Sequence, residues 1–262
     1  MAEPGSTPCA PRRIGDWGDE GAGGSVLALV EAIAGPSGLV PVGVLRLCRA
    51  ARANAYTPTL LAGLSAGLSA LQSQVRAVVI ETDGQGAFCG GADLDLLATA
   101  QPADALDLLS QQVFSQIANS ALPTVAAVQG AAVAGGCELA LACDLRVAAP
   151  GARFSLPETG RGLVPAAGGC ARLSALVGGA VARELIVFGG VLDSTRALGL
   201  GLIAEIDADP RAAARRWAAA AGARDPVALR LAKELLRPAG EAAALQAERH
   251  AEALLYALRE RR

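Results

Sequence analysis

Residues 132–147 read AVAGGCELALACDLRV and place one carboxylate, Glu138, in a run of small apolar residues. Two glycines, Gly135 and Gly136, interrupt an apolar strand, and the next residues carry helical character through Ala142. A second strand starts near Asp144. Strand, helix and strand in so short a space predict an α/β fold with crossover helices. Glu138 falls in the first turn of the predicted helix. Unpaired N–H groups and a partial positive charge favour a carboxylate there. The same N–H groups suit a developing oxyanion.

The pattern extends in both directions. SVLALVEAI and PVGVLRLC read as strands, the second ending near Cys48, and TPTLLAGLSAGLSALQSQ as a helix with Thr57 and Pro58 at its start. VRAVVIETDG is a buried strand, LPTVAAVQGAAV another, and DLRVAAP and ARFSLPE are extended. GCARLSALVG and AVARELIVFG are helical, and STRALGLGLIAEI is a helix followed by a strand. The alternation predicts a core over residues 25–207, followed by a helical C-terminal region over 208–262 that caps the core or joins subunits. Residues 1–24 are polar, lack the apolar centre of a secretory signal and are expected to form a flexible leader.

Composition narrows the function. The 262 residues are 52% hydrophobic, with 23 basic against 25 acidic side chains, so there is no global electrostatic case for nucleic acid. No apolar run reaches the ~18 residues of a membrane span. The six cysteines form no CxxC pair and there is one histidine, His250, so no metal site is expected. We expect reduced thiols in a cytoplasmic protein, with no nucleic acid or membrane as partner.

Two familiar motifs fail on context. GLSAG at residues 63–67 matches a nucleophile elbow, but Ser65 lies inside the helical pattern rather than on a strand-to-helix turn. The glycines at 84, 86 and 90 miss the dinucleotide spacing by one residue. Two other loops carry chemistry. FCGGADLDLL, residues 88–97, turns tightly at Gly90 and Gly91, which can free the N–H of Ala92 toward a ligand. FSLPETGRGLVPAAGG, residues 154–169, presents Glu158 just after Pro157. One strand separates it from Glu138, so both carboxylates can face one pocket.

In this order, G-x-F-C-x-G-A-D-L, Gly-Gly-Cys-Glu-Leu-Ala-x-x-Cys-Asp, Phe-x-x-Pro-Glu and G-x-x-P-x-x-G-G, continuing through ARELIVFGGVLDSTRALGLGLIAEI, resemble the enoyl-CoA hydratase/isomerase (crotonase) superfamily over residues 40 to 207. The resemblance implies a spiral of ββα turns with a helical C-terminal region, assembled as trimers or dimers of trimers. It implies an oxyanion hole made by the backbone N–H groups of Ala92 and Gly135, each worth on the order of 3 kcal/mol in the transition state. It implies Glu138 as base and Glu158 as acid in adding water to an α,β-unsaturated acyl thioester, or in the reverse dehydration.

Gly91, Asp93, Leu94 and Gly136 would complete the carbonyl site, Arg49 and Arg52 would contact phosphates, and Leu109 and Phe114 would wall the acyl pocket. No cofactor is expected beyond coenzyme A carried by the substrate. The sequence departs from the family pattern at Ala134, where hydratases often have a glycine, and at Asp95, where they commonly have a lysine near the CoA phosphates. A carrier-protein-bound acyl group, as in polyketide-type biosynthesis, is therefore an alternative substrate. Isomerase activity and a non-catalytic binding role are further alternatives.

Overall fold

The computed structural model describes residues 10–19, 24–236, 240, 243, 245–246, 248–251, 253 and 257. The chain opens with an antiparallel meander of β1 (Arg12–Asp19), β2 (Gly24–Gly35) and β3 (Gly38–Cys48). Helix α1 (Pro58–Leu71) follows; the Thr57 hydroxyl caps it by accepting from Leu60 N–H at 3.2 Å, with Pro58 in the first turn. Then come β4 (Ala77–Thr82), the short helices α2 (Leu94–Leu97) and α3 (Pro102–Leu106), and α4 (Leu109–Ala118).

The next two turns have one plan. β5 (Thr124–Val128) and β6 (Ala131–Val133) lead into α5 (Gly135–Ala142); β7 (Leu145–Ala148) and β8 (Arg153–Ser155) lead into α6 (Gly169–Ile186). β9 (Val191–Asp193), α7 (Ser194–Gly199), β10 (Glu205–Ile206), α8 (Pro210–Gly222) and α9 (Pro226–Leu235) complete the named elements.

Each turn gives one strand to each of two sheets. The larger has the order β1-β2-β3-β4-β5-β7-β10, parallel from β3 onward; the smaller has the order β6-β8-β9. Isolated parallel bridges continue the winding, Cys89 with Ala132 and Tyr56 with Ala92. This is an α/β spiral of ββα turns.

LPTVAAVQGAAV, which reads as one strand, is two. The chain leaves the large sheet at Gln129-Gly130, and a Cβ at Gly130 would collide with the Gly86 carbonyl. β9 has no counterpart in the sequence reading, because three residues carry too little periodicity.

Both faces of the large sheet are buried, so its parallel strands read as unbroken apolar runs. Leu45, Leu47, Val78, Ile80, Ala126 and Val128 face α1, α4 and α5. Val42, Val44, Val79, Val125 and Val147 face a second layer made by Ala213, Ala214, Ala218 and Ala219 of α8. Alanines let that helix approach the sheet closely. Helix α8 is therefore part of the core, although the pattern sets it with the C-terminal helices.

The expected leader also contains structure. β1 pairs with β2, with Ile14 and Trp17 against the core, because one edge of the meander would otherwise lie open. Trp17 lies over Gly63 and Gly67 of α1, so the GLSAG stretch is a packing surface.

Cys89, Cys137 and Cys143 are buried free thiols, and Cys48 and Cys170 are partly buried; Cys9 lies outside the described residues. Burial pushes Cys89, Cys143 and Cys170 up to about 12, which leaves them protonated at neutral pH. Among the described residues no helix is long and apolar enough to cross a membrane. His250 is exposed.

Candidate active site

The first wall of the site is the loop after Cys89. Gly91 takes φ +94°, open to glycine, and its carbonyl accepts from Tyr56 N–H at 2.8 Å. Asp93 N–H donates to the Tyr56 carbonyl at 3.0 Å. Ala92 is held between these two bonds, and its own N–H has no partner among the described residues.

Buried Asp93 locks the loop from below. It pairs with Arg49 at 2.7 Å, lies 3.7 Å from Arg52, and accepts from Asp95 N–H at 3.0 Å. The Arg49 guanidinium holds the Asp93 carboxyl below the usual carboxylate range. Arg49 also donates to the Ala55 carbonyl at 2.9 Å, and Arg52 pairs with Asp95 at 2.6 Å. Both arginines, expected at phosphates, are thus committed to loop carboxylates. A buried Asp93 requires a cation, and Asp95 stands where the family lysine would be.

The second wall is the start of α5. Ala134 precedes it at φ +53°, ψ −130°, a conformation that an L-residue adopts only under strain. Its N–H donates to the Ser155 carbonyl at 2.9 Å, and its carbonyl accepts from Cys137 N–H at 2.8 Å and Glu138 N–H at 3.1 Å. The following glycines are required by close approach. A Cβ at Gly135 would collide with the Tyr56 hydroxyl, and one at Gly136 with the Cys89 carbonyl. Gly135 N–H, at the helix N-terminus, has no partner among the described residues. At the other end of α5, buried Arg146 donates to the Cys143 carbonyl at 2.7 Å and the Leu202 carbonyl at 2.5 Å.

The carboxylates form the third part. Glu138 is buried, and its Oε1 accepts from Ala167 N–H and Gly169 N–H, both at 2.8 Å. Burial, then the nearby charges of Glu158 and Glu248, push its pKa well above the usual carboxylate range. Glu158 is buried in a 3-10 turn, Glu158–Arg161, that follows Pro157. Glu248 escapes sequence reading because its partners are 80 and 77 residues away. It accepts from Gly168 N–H at 2.8 Å and Ala171 N–H at 2.9 Å, at the start of α6, whose N-cap Gly168 has no side chain to offer.

These parts open onto one cavity of about 650 Å³. Ala92, Asp93, Leu94, Leu109, Gly135, Glu138 and Glu158 line it. Gly91 and Gly136, expected at the site, are not on its wall, and neither are Arg49 and Arg52. Phe114 is fully buried and does not reach the cavity; it packs edge-on behind the Tyr56 ring, with centroids 5.7 Å apart. Leu109 and Leu108 line the cavity five and six residues earlier, and the helical turn carries Phe114 to the core side. Sequence reasoning missed Tyr56, Ser110 and Arg161 on the wall. Tyr56 had one signal, an aromatic residue directly before the Thr57-Pro58 cap.

The sequence profile of the enoyl-CoA hydratase/isomerase family matches residues 40–259. The chain is 41% identical over 167 residues to the mitochondrial methylglutaconyl-CoA hydratase of Mus musculus, covering 62% of this chain and 53% of that protein. It is 36% identical to the putative enoyl-CoA hydratase/isomerase YngF of Bacillus subtilis, covering 72% and 75% of the two chains. The crystal structure of an enoyl-CoA hydratase from Bacillus anthracis superposes with TM-score 0.71 at 29% identity, covering 84% of this chain and 93% of that one. The chain spans about half the length of the mouse, rat and human methylglutaconyl-CoA hydratases.

Two outcomes follow from the site's energetics. A carboxyl whose pKa folding raises keeps its proton to higher pH than in the unfolded chain. Its contribution to stability is present below the unfolded pKa and is lost as pH rises through the folded value. Glutamine at 138 keeps the oxygen that accepts from Ala167 and Gly169 and cannot ionise. Glu138→Gln is therefore expected to gain stability over wild type as pH rises from about 5 to about 9, read as thermal midpoints across that range. Ala134→Gly relieves the strained φ and is expected to raise stability by about 1 kcal/mol, seen as a midpoint about 2–4 °C higher.

Proposed function

The chain belongs to the enoyl-CoA hydratase/isomerase family, and we propose that it works as a hydro-lyase on α,β-unsaturated acyl-CoA thioesters. One observation carries this reading: two buried carboxylates from different turns, Glu138 and Glu158, share a cavity with two N–H groups, of Ala92 and Gly135, that have no partner among the described residues. The thioester carbonyl accepts from those N–H groups. Glu138 takes a proton from water as its oxygen bonds to the β-carbon. The electron pair of the double bond moves to the thioester oxygen, where the two donors and the α5 N-terminus stabilise it. Glu158 then gives a proton to the α-carbon as the carbonyl reforms. Two acids in a dry pocket do not both ionise easily, so the pair shares one proton, and the reactive form for hydration is the one in which Glu158 holds that proton and Glu138 is ionised. The same path run backwards dehydrates.

Acyl-CoA is the substrate class of the family, and a carrier-bound acyl group is the alternative. The proposed assembly is a trimer or dimer of trimers. Exposed Val187, Phe188, Leu235 and Leu236 are apolar surface that such an assembly would cover.

A second reading narrows the acyl group. Arg161 lines the cavity three residues beyond Glu158 and makes no ion pair among the described residues, while Asp104 and Asp107 on the same wall are engaged by Gln101 N–H and Gln112. A guanidinium so placed suits an acyl group with a distal carboxylate, such as the methylglutaconyl group in the name of the mouse relative.

Crotonyl-CoA mixed with the protein should lose its conjugated thioester absorbance. Glu138→Gln and Glu158→Gln should each slow this by about 10²-fold or more, within the range for general acid–base groups. Unchanged rates in both variants would end the two-carboxylate mechanism. Arg161→Ala should raise KM for glutaconyl-CoA by about 10- to 100-fold and leave that for crotonyl-CoA unchanged, since a charged hydrogen bond contributes about 1.5–3 kcal/mol. Equal effects on both thioesters would remove the distal-carboxylate reading.

A further inference from the structure

We propose that Tyr56 is a positioning residue that sets the separation of the two carbonyl donors, Ala92 and Gly135. The proposal rests on the reading of those N–H groups as an oxyanion hole. Its basis is that one residue touches both walls. The Tyr56 main chain brackets Ala92, donating to the Gly91 carbonyl at 2.8 Å and accepting from Asp93 N–H at 3.0 Å. The Tyr56 hydroxyl lies against Gly135, so closely that no β-carbon fits there. The phenol ring is thus a rigid spacer between the loop after Cys89 and the start of α5.

The ring is itself held by its surroundings. It packs edge-to-face with Phe114, the two planes at 88°. Its hydroxyl lies beside Ser110 in the first turn of α4. Tyr56 and Ser110 are both buried, and both line the cavity. Burial and the nearby Glu138 charge keep the phenol protonated, so the spacer is neutral. An aliphatic side chain in the same place would fill volume without fixing a distance, because it has no hydroxyl to hold and its rotamers are not limited to a plane.

The energetic consequence concerns the transition state. Donor placement matters most when charge develops on the carbonyl oxygen, and a displacement near 1 Å costs about 10²-fold in rate. Tyr56→Leu should therefore lower kcat by about 10²-fold with KM changed by less than about threefold, and Tyr56→Phe, which keeps the ring and loses the hydroxyl that lies against Gly135, by about 10-fold.

A second readout does not depend on turnover. The carbonyl stretch of bound hexadienoyl-CoA, followed by isotope-edited infrared spectroscopy, reports polarisation in the hole directly. Wild type should shift it to lower frequency, Tyr56→Leu should abolish most of the shift, and Tyr56→Phe should recover part of it. Thermal midpoints identify folded variants, and the comparison is made below them. If wild type polarises the carbonyl but does not hydrate, the hydro-lyase reading fails and this proposal stands on the spectra. If folded Tyr56→Leu polarises the carbonyl as wild type does, or keeps kcat within twofold, the spacer role is overturned. No shift in wild type overturns the hole and this proposal together.

Discussion

Glu138 Oε1 accepts two backbone hydrogen bonds from the loop before α6, from Ala167 and Gly169, and the rest of the site is arranged around that contact. A carboxylate in the first turn of an apolar helix is favoured by the helix and penalised by burial. Those two N–H groups compensate part of the penalty. They also join two successive turns of the spiral, because α5 belongs to one and the loop to the next. Glu248 fills the alternating N–H groups of the same loop, at Gly168 and Ala171. Four N–H groups at one helix start thus meet two carboxylates, and a residue of the C-terminal helical region is tied to the start of α6.

The opposite constraint operates at the glycines. Gly135 and Gly136 are not needed for their dihedral freedom; the residue that takes the strained φ is Ala134. They are needed because Tyr56 and Cys89 come too close to admit a β-carbon. Gly135 lies on the cavity wall at the N-terminus of α5, and its N–H has no partner among the described residues. On the first wall, Asp93 and its arginines supply the counterpart. A buried carboxylate neutralised by Arg49 fixes a loop whose neighbouring N–H group is left unbonded.

Much of this was legible in the chain. The parallel strands announced themselves as unbroken Val, Leu and Ala runs, the start of α1 by Thr57-Pro58, and the start of α5 by its paired glycines. Glu138 stood out because a charge in that run needs a reason. The loops carrying Ala92 and Glu158 were marked by their Gly and Pro content, and the order of the three motifs identified the family. Strands β1 and β9 were not legible, since a polar segment broken by glycines and a three-residue segment carry little periodicity and exist because a sheet edge receives them. Phe114, expected on the pocket wall, is buried in the core instead.

The sequence by itself determined which elements form, in which order, and which polar groups had to be accommodated inside them. Helical and strand periodicities are local, and a buried charge is visible wherever it interrupts them. Only the tertiary structure decided the partners. Arg49 turned from a candidate phosphate ligand into the counter-ion of Asp93, Glu248 arrived at α6 from the far end of the chain, and Tyr56 came to touch both Gly135 and the loop that carries Ala92. Each of those contacts joins residues that the spiral brings together from different turns. No local pattern encodes them, because their geometry is set by how one turn stacks on the next.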